Sequence, residues 1–139
     1  MSDLLDELKE EHKEILDALN TARNLGTVSD EGQKALIGIK SYLLNHIKKE
    51  DELLYPFLYK KAKGNKDLQR ILKIFASNMD NISQIIMDFF SKYSKGASGL
   101  EFARDVGKIL AKLSQRISKE ENVIFEKYNE LKKKDNPSS

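Results

Sequence analysis

The chain has no cysteine, so it carries no disulfide scaffold, no thiolate metal site and no iron–sulfur cluster of its own. That fits a reducing compartment. No apolar run approaches the roughly 20 residues that cross a bilayer as a helix. The opening Met1-Ser2-Asp3-Leu4-Leu5-Asp6-Glu7 is acidic and lacks the apolar segment of a secretory signal. These absences lead to the expectation of a soluble, cytoplasmic protein with no membrane partner. An excess of one charge is missing too: 24 Lys and Arg face 22 Asp and Glu, a net of +2. That balance argues against a nucleic-acid partner. The basic runs Lys60-Lys61-Ala62-Lys63 and Lys132-Lys133-Lys134 fall near a helix end and the C-terminus, where cations suit the helix dipole and solvent. There is no glycine-rich phosphate loop, no activated serine and no zinc-finger spacing. No stretch alternates with period two, so strand content should be near zero.

What is present is helical periodicity. A length of 139 residues suits one domain, in which about two-thirds of the unfolded chain's surface can be buried. Helix 1 reads from Leu4 to Asn24, with Leu5, Leu8, Ile15 and Leu19 in an apolar stripe that also takes in His12. Gly26, Thr27 and Val28 break it. Asp30 with Gln33 makes a capping box for helix 2, which runs from about Glu31 to about Ala62. Pro56 lies inside it and lacks a backbone donor, so a kink or break is expected within the preceding turn. Gly64-Asn65 ends the helix. Helix 3 starts near Asp67 and runs through Leu68, Leu72, Phe75, Met79, Ile82, Ile86 and Phe89 to about Tyr93. After the linker Ser94–Ala97, Ser98 and Glu101 form a second capping box. Helix 4 carries Phe102, Val106, Ile109, Leu113, Ile117, Ile124 and Tyr128. Four long amphipathic helices with short connections imply an all-α, antiparallel up-down-up-down bundle over residues 1–134, with 135–139 as a disordered tail.

The apolar seam of helix 2 runs through Leu36, Ile39 and Leu43 and resumes at Leu54. His46 and Glu50 fill the gap, four residues apart and therefore stacked on one face. An ionised carboxylate without a partner in a core costs several kcal/mol. Its partner must be a metal, a cation or a proton.

Helix 4 laid over helix 2 sets His46-x-x-x-Glu50-Asp51-x-x-Leu54-Tyr55 on Arg116-x-x-x-Glu120-Glu121-x-x-Ile124-Phe125. Helix 3 laid over helix 1 sets Glu11-His12 on Asp80-Asn81, a weaker match. The chain reads as two helix hairpins of one design. Glu11-His12 and His46-Ile47-Lys48-Lys49-Glu50-Asp51-Glu52-Leu53-Leu54-Tyr55-Pro56 resemble the first half of the hemerythrin-like, or HHE cation-binding, domain. Glu120-Glu121-Asn122-Val123-Ile124-Phe125 resembles part of its second half.

That resemblance implies a four-helix bundle around non-haem iron. It implies His12, His46, Glu50 and Glu120 as metal ligands. Asn81 and Arg116, in place of the family's second pair of histidines, would line the site without binding metal. One iron ion is then expected rather than two. Two imidazoles with one or two carboxylates also suit zinc or manganese. The family's roles are binding or sensing dioxygen or nitric oxide, storing iron, and repairing iron centres. The absent cysteines make repair the weaker variant. Residues read alone leave a metal-free alternative open, in which Arg116 pairs with Glu50, Glu120 or both and the bundle serves as an interaction or regulatory module. An oxygen-activating enzyme is a third reading, with no catalytic residue to support it. The ferritin-like di-iron pattern fails, because the residues three before His12 and His46 are Lys9 and Leu43 rather than glutamate.

Overall fold

The computed structural model describes residues 3–25, 30–93 and 100–135. The Gly26–Val28 break, the side chains of the Asp30–Gln33 box, the Ser94–Ala97 linker, Ser98 of the second box and the tail from Asn136 lie outside the described residues. Helix α1 spans Asp3–Leu25 and α2 spans Asp30–Lys49. A π-helical turn, π1, Glu50–Leu54, leads into α3, Tyr55–Lys61. Helix α4 is Lys66–Lys92. Helix α5, Leu100–Lys119, passes through a second π-turn, π2, Glu120–Ile124, into α6, Phe125–Asp135. Backbone dihedrals stay right-handed helical through both π-turns, so α2–π1–α3 and α5–π2–α6 are continuous rods. With α1 and α4 they make four rods, and the described residues contain no strand.

Neighbouring rods run antiparallel. Along α1 and α2, Glu7, Glu11 and Glu14 reach Lys49, His46 and Tyr42 in turn. Along α4 and α5, Lys92 meets Asp105 while the Phe75 carbonyl meets Arg116. The turn into α4 is set by Gly64 at φ 77°, a left-handed conformation that glycine adopts without a Cβ penalty. Asn65 then caps α4, its side chain accepting from the Leu68 amide at 3.0 Å. Helix α6 ends with Asp135, previously assigned to the tail, paired to Lys61.

The core falls into two apolar clusters. One holds Ile15, Leu19, Leu36, Leu43, Ile82, Phe89, Phe102, Val106 and Leu113. The other holds Leu5, Leu8, Leu54, Leu58, Leu72, Phe75, Ile124 and Phe125. Each large side chain buried this way contributes about 1.5–3 kcal/mol. The buried polar and charged residues are His12, His46, Glu50, Arg116 and Glu120, and they form the layer between the two clusters.

The π-turns explain how that layer is built. Buried positions in the second rod fall at Leu36, Ile39, Leu43 and His46, then at Glu50, Leu54, Leu58 and Ala62. The first part alternates steps of three and four, as an α-helix requires. The second part repeats steps of four, which would carry an α-helix off its own seam. One wide turn absorbs the drift: the Tyr55 amide bonds the Glu50 carbonyl, five residues back. The kink expected before Pro56 is this π-turn. Proline is not its sole cause, because Phe125 bonds Glu120 in the same way with Glu126 where the first hairpin has Pro56.

Candidate metal centre

His12 projects from α1, His46 from the last turn of α2, and Glu50 and Glu120 from the first residues of π1 and π2. None is more than 5% exposed. One ligand atom from each lies within 4.8 Å of all the others. His12 Nε2 stands 3.1 Å from Glu120 Oε1 and 3.6 Å from Glu50 Oε2, and His46 Nε2 stands 3.4 Å from Glu50 Oε2. The cavity beside them measures about 30 Å³ and is walled by Ile15, Leu43, Met79, Leu113 and Ile117.

The outer nitrogens of both imidazoles are fixed by carboxylates from other rods. His46 Nδ1 lies 2.6 Å from Glu11 Oε1, and Lys49 holds the other Glu11 oxygen at 2.9 Å. His12 Nδ1 lies 2.7 Å from Glu121 Oε2. With Nδ1–H donating to a carboxylate, Nε2 is the atom left facing the cavity, and once it loses its proton it presents its lone pair there, as a metal-binding histidine must. Phe125 stacks along His12 with ring centroids 5.7 Å apart. Glu11 and Glu121 were missed as partners in the sequence. The available signal is adjacency: each sits beside a ligand, Glu11 before His12 and Glu121 after Glu120, and so braces a histidine on a neighbouring rod.

Two atoms test whether this set fits a metal. His46 Nε2 and Glu50 Oε2 are buried and have no hydrogen-bond partner. Such orphans cost about 1–3 kcal/mol each, more when charged. An ion between them would satisfy both, and the nitrogen–oxygen donor set suits a divalent transition metal. The residues therefore fit the group.

Arg116 is buried and faces this layer, as its place opposite His46 predicts. Its Nη2 donates to Glu120 Oε2 at 3.3 Å and to the Tyr55 hydroxyl at 2.9 Å. Its Nη1 donates to the Phe75 carbonyl at 2.8 Å and to Asn78 Oδ1 at 3.3 Å. Its guanidinium lies over the Phe75 ring at 4.8 Å. Tyr55 also donates to Glu120 Oε2 at 2.6 Å. Arg116 pairs with Glu120 and not with Glu50.

Asn81 requires correction. It is exposed and does not line the metal cavity. The buried residues of α1 are Leu5, Leu8, His12, Ile15, Leu19 and Ala22; the inward positions of α4 with the same spacing are the buried Leu72, Phe75, Ile82, Ile86 and Phe89 and the half-buried Met79. Met79 stands where the first hairpin has His12. The sequence overlay of helices 1 and 3 was two residues out of register, because it matched Glu11-His12 to Asp80-Asn81 by polarity rather than by the seam. The overlay of helices 2 and 4 is correct throughout.

Without a metal the layer keeps positive charge on its imidazoles. Burial disfavours His12 imidazolium, but Glu120, Glu50 and Glu121 outweigh it and push its pKa up to about 10. His46 is raised against the same opposition by Glu50 and Glu11. Burial and the neighbouring Glu50 push Glu120 up to about 7, against His12 and Arg116. Glu50 is held below the usual carboxylate range: burial opposes this, and the neighbouring Glu120, His12 and His46 overcome it.

Residues 3–128 match the model of the family described as the hemerythrin HHE cation-binding domain. No curated protein and no solved structure matches the chain.

Proposed function

The chain belongs to the hemerythrin HHE cation-binding family, and from that premise we propose that it holds a single non-haem iron ion for binding or sensing dioxygen or nitric oxide. The observation that carries this reading is the pair of orphaned atoms, His46 Nε2 and Glu50 Oε2, inside a buried ligand set whose imidazole Nδ1 atoms are each held by a carboxylate. His12, His46, Glu50 and Glu120 would hold the ion. Bound iron would supply open coordination positions for a diatomic ligand.

The chain's own residues do the rest. Glu11 and Glu121 orient the imidazoles. Ile15, Leu43, Leu113 and Ile117 give the cavity an apolar wall. Arg116 and Met79 replace the imidazoles a second ion would need, which limits capacity to one. The test is elemental analysis of protein purified without chelator, in air and anaerobically, with absorption and electron paramagnetic resonance spectra on adding nitric oxide. About one iron per chain and a nitric oxide signal are expected. One iron without that signal would favour iron handling over gas binding.

A second reading rests on a different observation. Arg116 already neutralises Glu120, and a protonated His12 lies within reach of Glu50 and Glu120. A metal-free module can therefore hold the same layer together. Metal content near zero under both conditions would favour it.

A further inference from the structure

Arg116 forms part of the wall of two cavities. One is the metal cavity. The other opens between α4 and α5, measures about 50 Å³, and is lined by Asn78, Asn81, Lys112, Gln115, Arg116 and Lys119, with Ile82 as its one apolar residue. We propose that this outer cavity is a binding site for a small oxyanion, a phosphate or a group of like charge and shape. It adjoins the metal cavity through Arg116 but does not depend on the metal reading.

Three cations line the cavity and no acid does. Among the described residues five lysines, Lys48, Lys49, Lys61, Lys92 and Lys127, reach carboxylates. Lys112 and Lys119 form no ion pair among the described residues. They lie two turns apart on one face of α5 with Gln115 between them, and they flank the mouth. The floor is a buried guanidinium whose charge is screened less than that of a surface lysine. Its pairing with Glu120 at 3.3 Å offsets part of that charge, which leaves the two lysines as the main attraction.

The neutral residues add direction. Asn78 Oδ1 accepts from Arg116, so its Nδ2 remains a donor. Asn81 and Gln115 bring further amide donors. A row of solvated lysines alone would have neither the amides nor the buried floor. The cavity admits one compact anion and no ring. Beside it lies a more open depression of about 520 Å³ lined by Lys73, Ile74, Ser77, Asn78 and Asn81, again without an acid. It shares both asparagines with the cavity, so the anion can be free or the end group of a phosphomonoester whose body lies toward Lys73.

The test uses the full chain, metal-free and iron-loaded. Thermal melting is followed while inorganic phosphate or glycerol phosphate replaces chloride at constant ionic strength. A saturable rise in melting temperature is expected in both forms. Lys112→Gln or Lys119→Gln alone should weaken the midpoint by about 10-fold, and Lys119→Arg should preserve it. The double Lys112→Gln/Lys119→Gln variant, altered only at exposed positions, should lose the response. An equal response to both probes assigns a free oxyanion; a stronger response to the ester that Lys73→Gln abolishes assigns an ester. No saturable shift with either anion, or an undiminished shift in the double variant, overturns the proposal.

Discussion

Arg116→Ala is the most informative single change. It removes the Arg116–Glu120 pair, the donors to Tyr55, Asn78 and the Phe75 carbonyl, and the stack on Phe75. Breaking one side of a buried ion pair costs about 3–5 kcal/mol. Burial and Glu50 have already pushed the Glu120 pKa up to about 7, and loss of the guanidinium raises it further. At pH 6 Glu120 can therefore take a proton and shed much of the penalty, whereas at pH 9 more of the charge stays. The destabilisation should be larger at pH 9, near the upper end of that range, which corresponds to a fall in melting temperature of roughly 10–20 °C for a domain of this size. Added zinc should recover part of it, because a divalent ion can replace the missing charge. Urea unfolding at both pH values, with and without zinc, measures all three effects. A loss below about 1 kcal/mol at pH 9, or a larger loss at pH 6 than at pH 9, would refute the assignment of Arg116 as the counter-charge of Glu120.

His46→Ala should empty the centre, and elemental analysis showing unchanged occupancy would remove His46 from the ligand set. Glu11→Gln leaves every ligand in place but weakens the brace on His46 Nδ1, so metal affinity in a chelator competition should drop about 10–100-fold; an unaltered affinity would make Glu11 a surface partner only. Met79→His with Arg116→His restores imidazoles at the two positions facing His12 and His46, and metal capacity should rise to two ions per chain, whereas Asn81→His with Arg116→His should not achieve this. The pKa of His12 is pushed from 6.5 to about 10, so at pH 7.5 the metal-free protein holds a proton there that a ligand must lose. Metal binding should release it, seen by calorimetry in buffers of different ionisation enthalpy, and affinity should climb as pH rises toward 10. In the metal-free protein the stability owed to His12 imidazolium is complete below pH 6.5 and is lost as pH rises through about 10, which melts across that range would detect.

The parts of this molecule legible in its sequence are those written as spacing along one helix. His46 and Glu50 interrupt an apolar seam at its own period, and the overlay of helix 4 on helix 2 carries the same two positions to Arg116 and Glu120, so the sequence places both pairs at the core. The cross-rod braces were not legible. Glu11 and Glu121 reach histidines 35 and 109 residues away, and their adjacency to His12 and Glu120 marks them as near the site without encoding which histidine each will meet. The turn before Pro56 was legible in place but not in kind. Proline announces a lost donor, whereas the π-turn is announced by the run of steps of four from His46 to Leu58, which the second hairpin repeats from Arg116 to Tyr128 without proline.

The presence of Met79 rather than Asn81 opposite His12 bears on function. An asparagine at the place of His12 would still have offered an oxygen to a metal and a donor to a carboxylate. The residue that stands there is Met79, half-buried, whose thioether is a poor ligand for a hard ion and a good filler of irregular space. Opposite it stands Arg116, a permanent cation engaged by Glu120 and Tyr55. Where the first half of the layer presents two imidazoles, the second half presents one apolar wall and one fixed charge. The carboxylate of Glu120 is then shared: its Oε2 belongs to Arg116 and Tyr55, and its Oε1 faces His12. In the proposed single-ion centre, His12, His46 and Glu50 would hold the ion on one side, with the guanidinium completing the charge balance on the other.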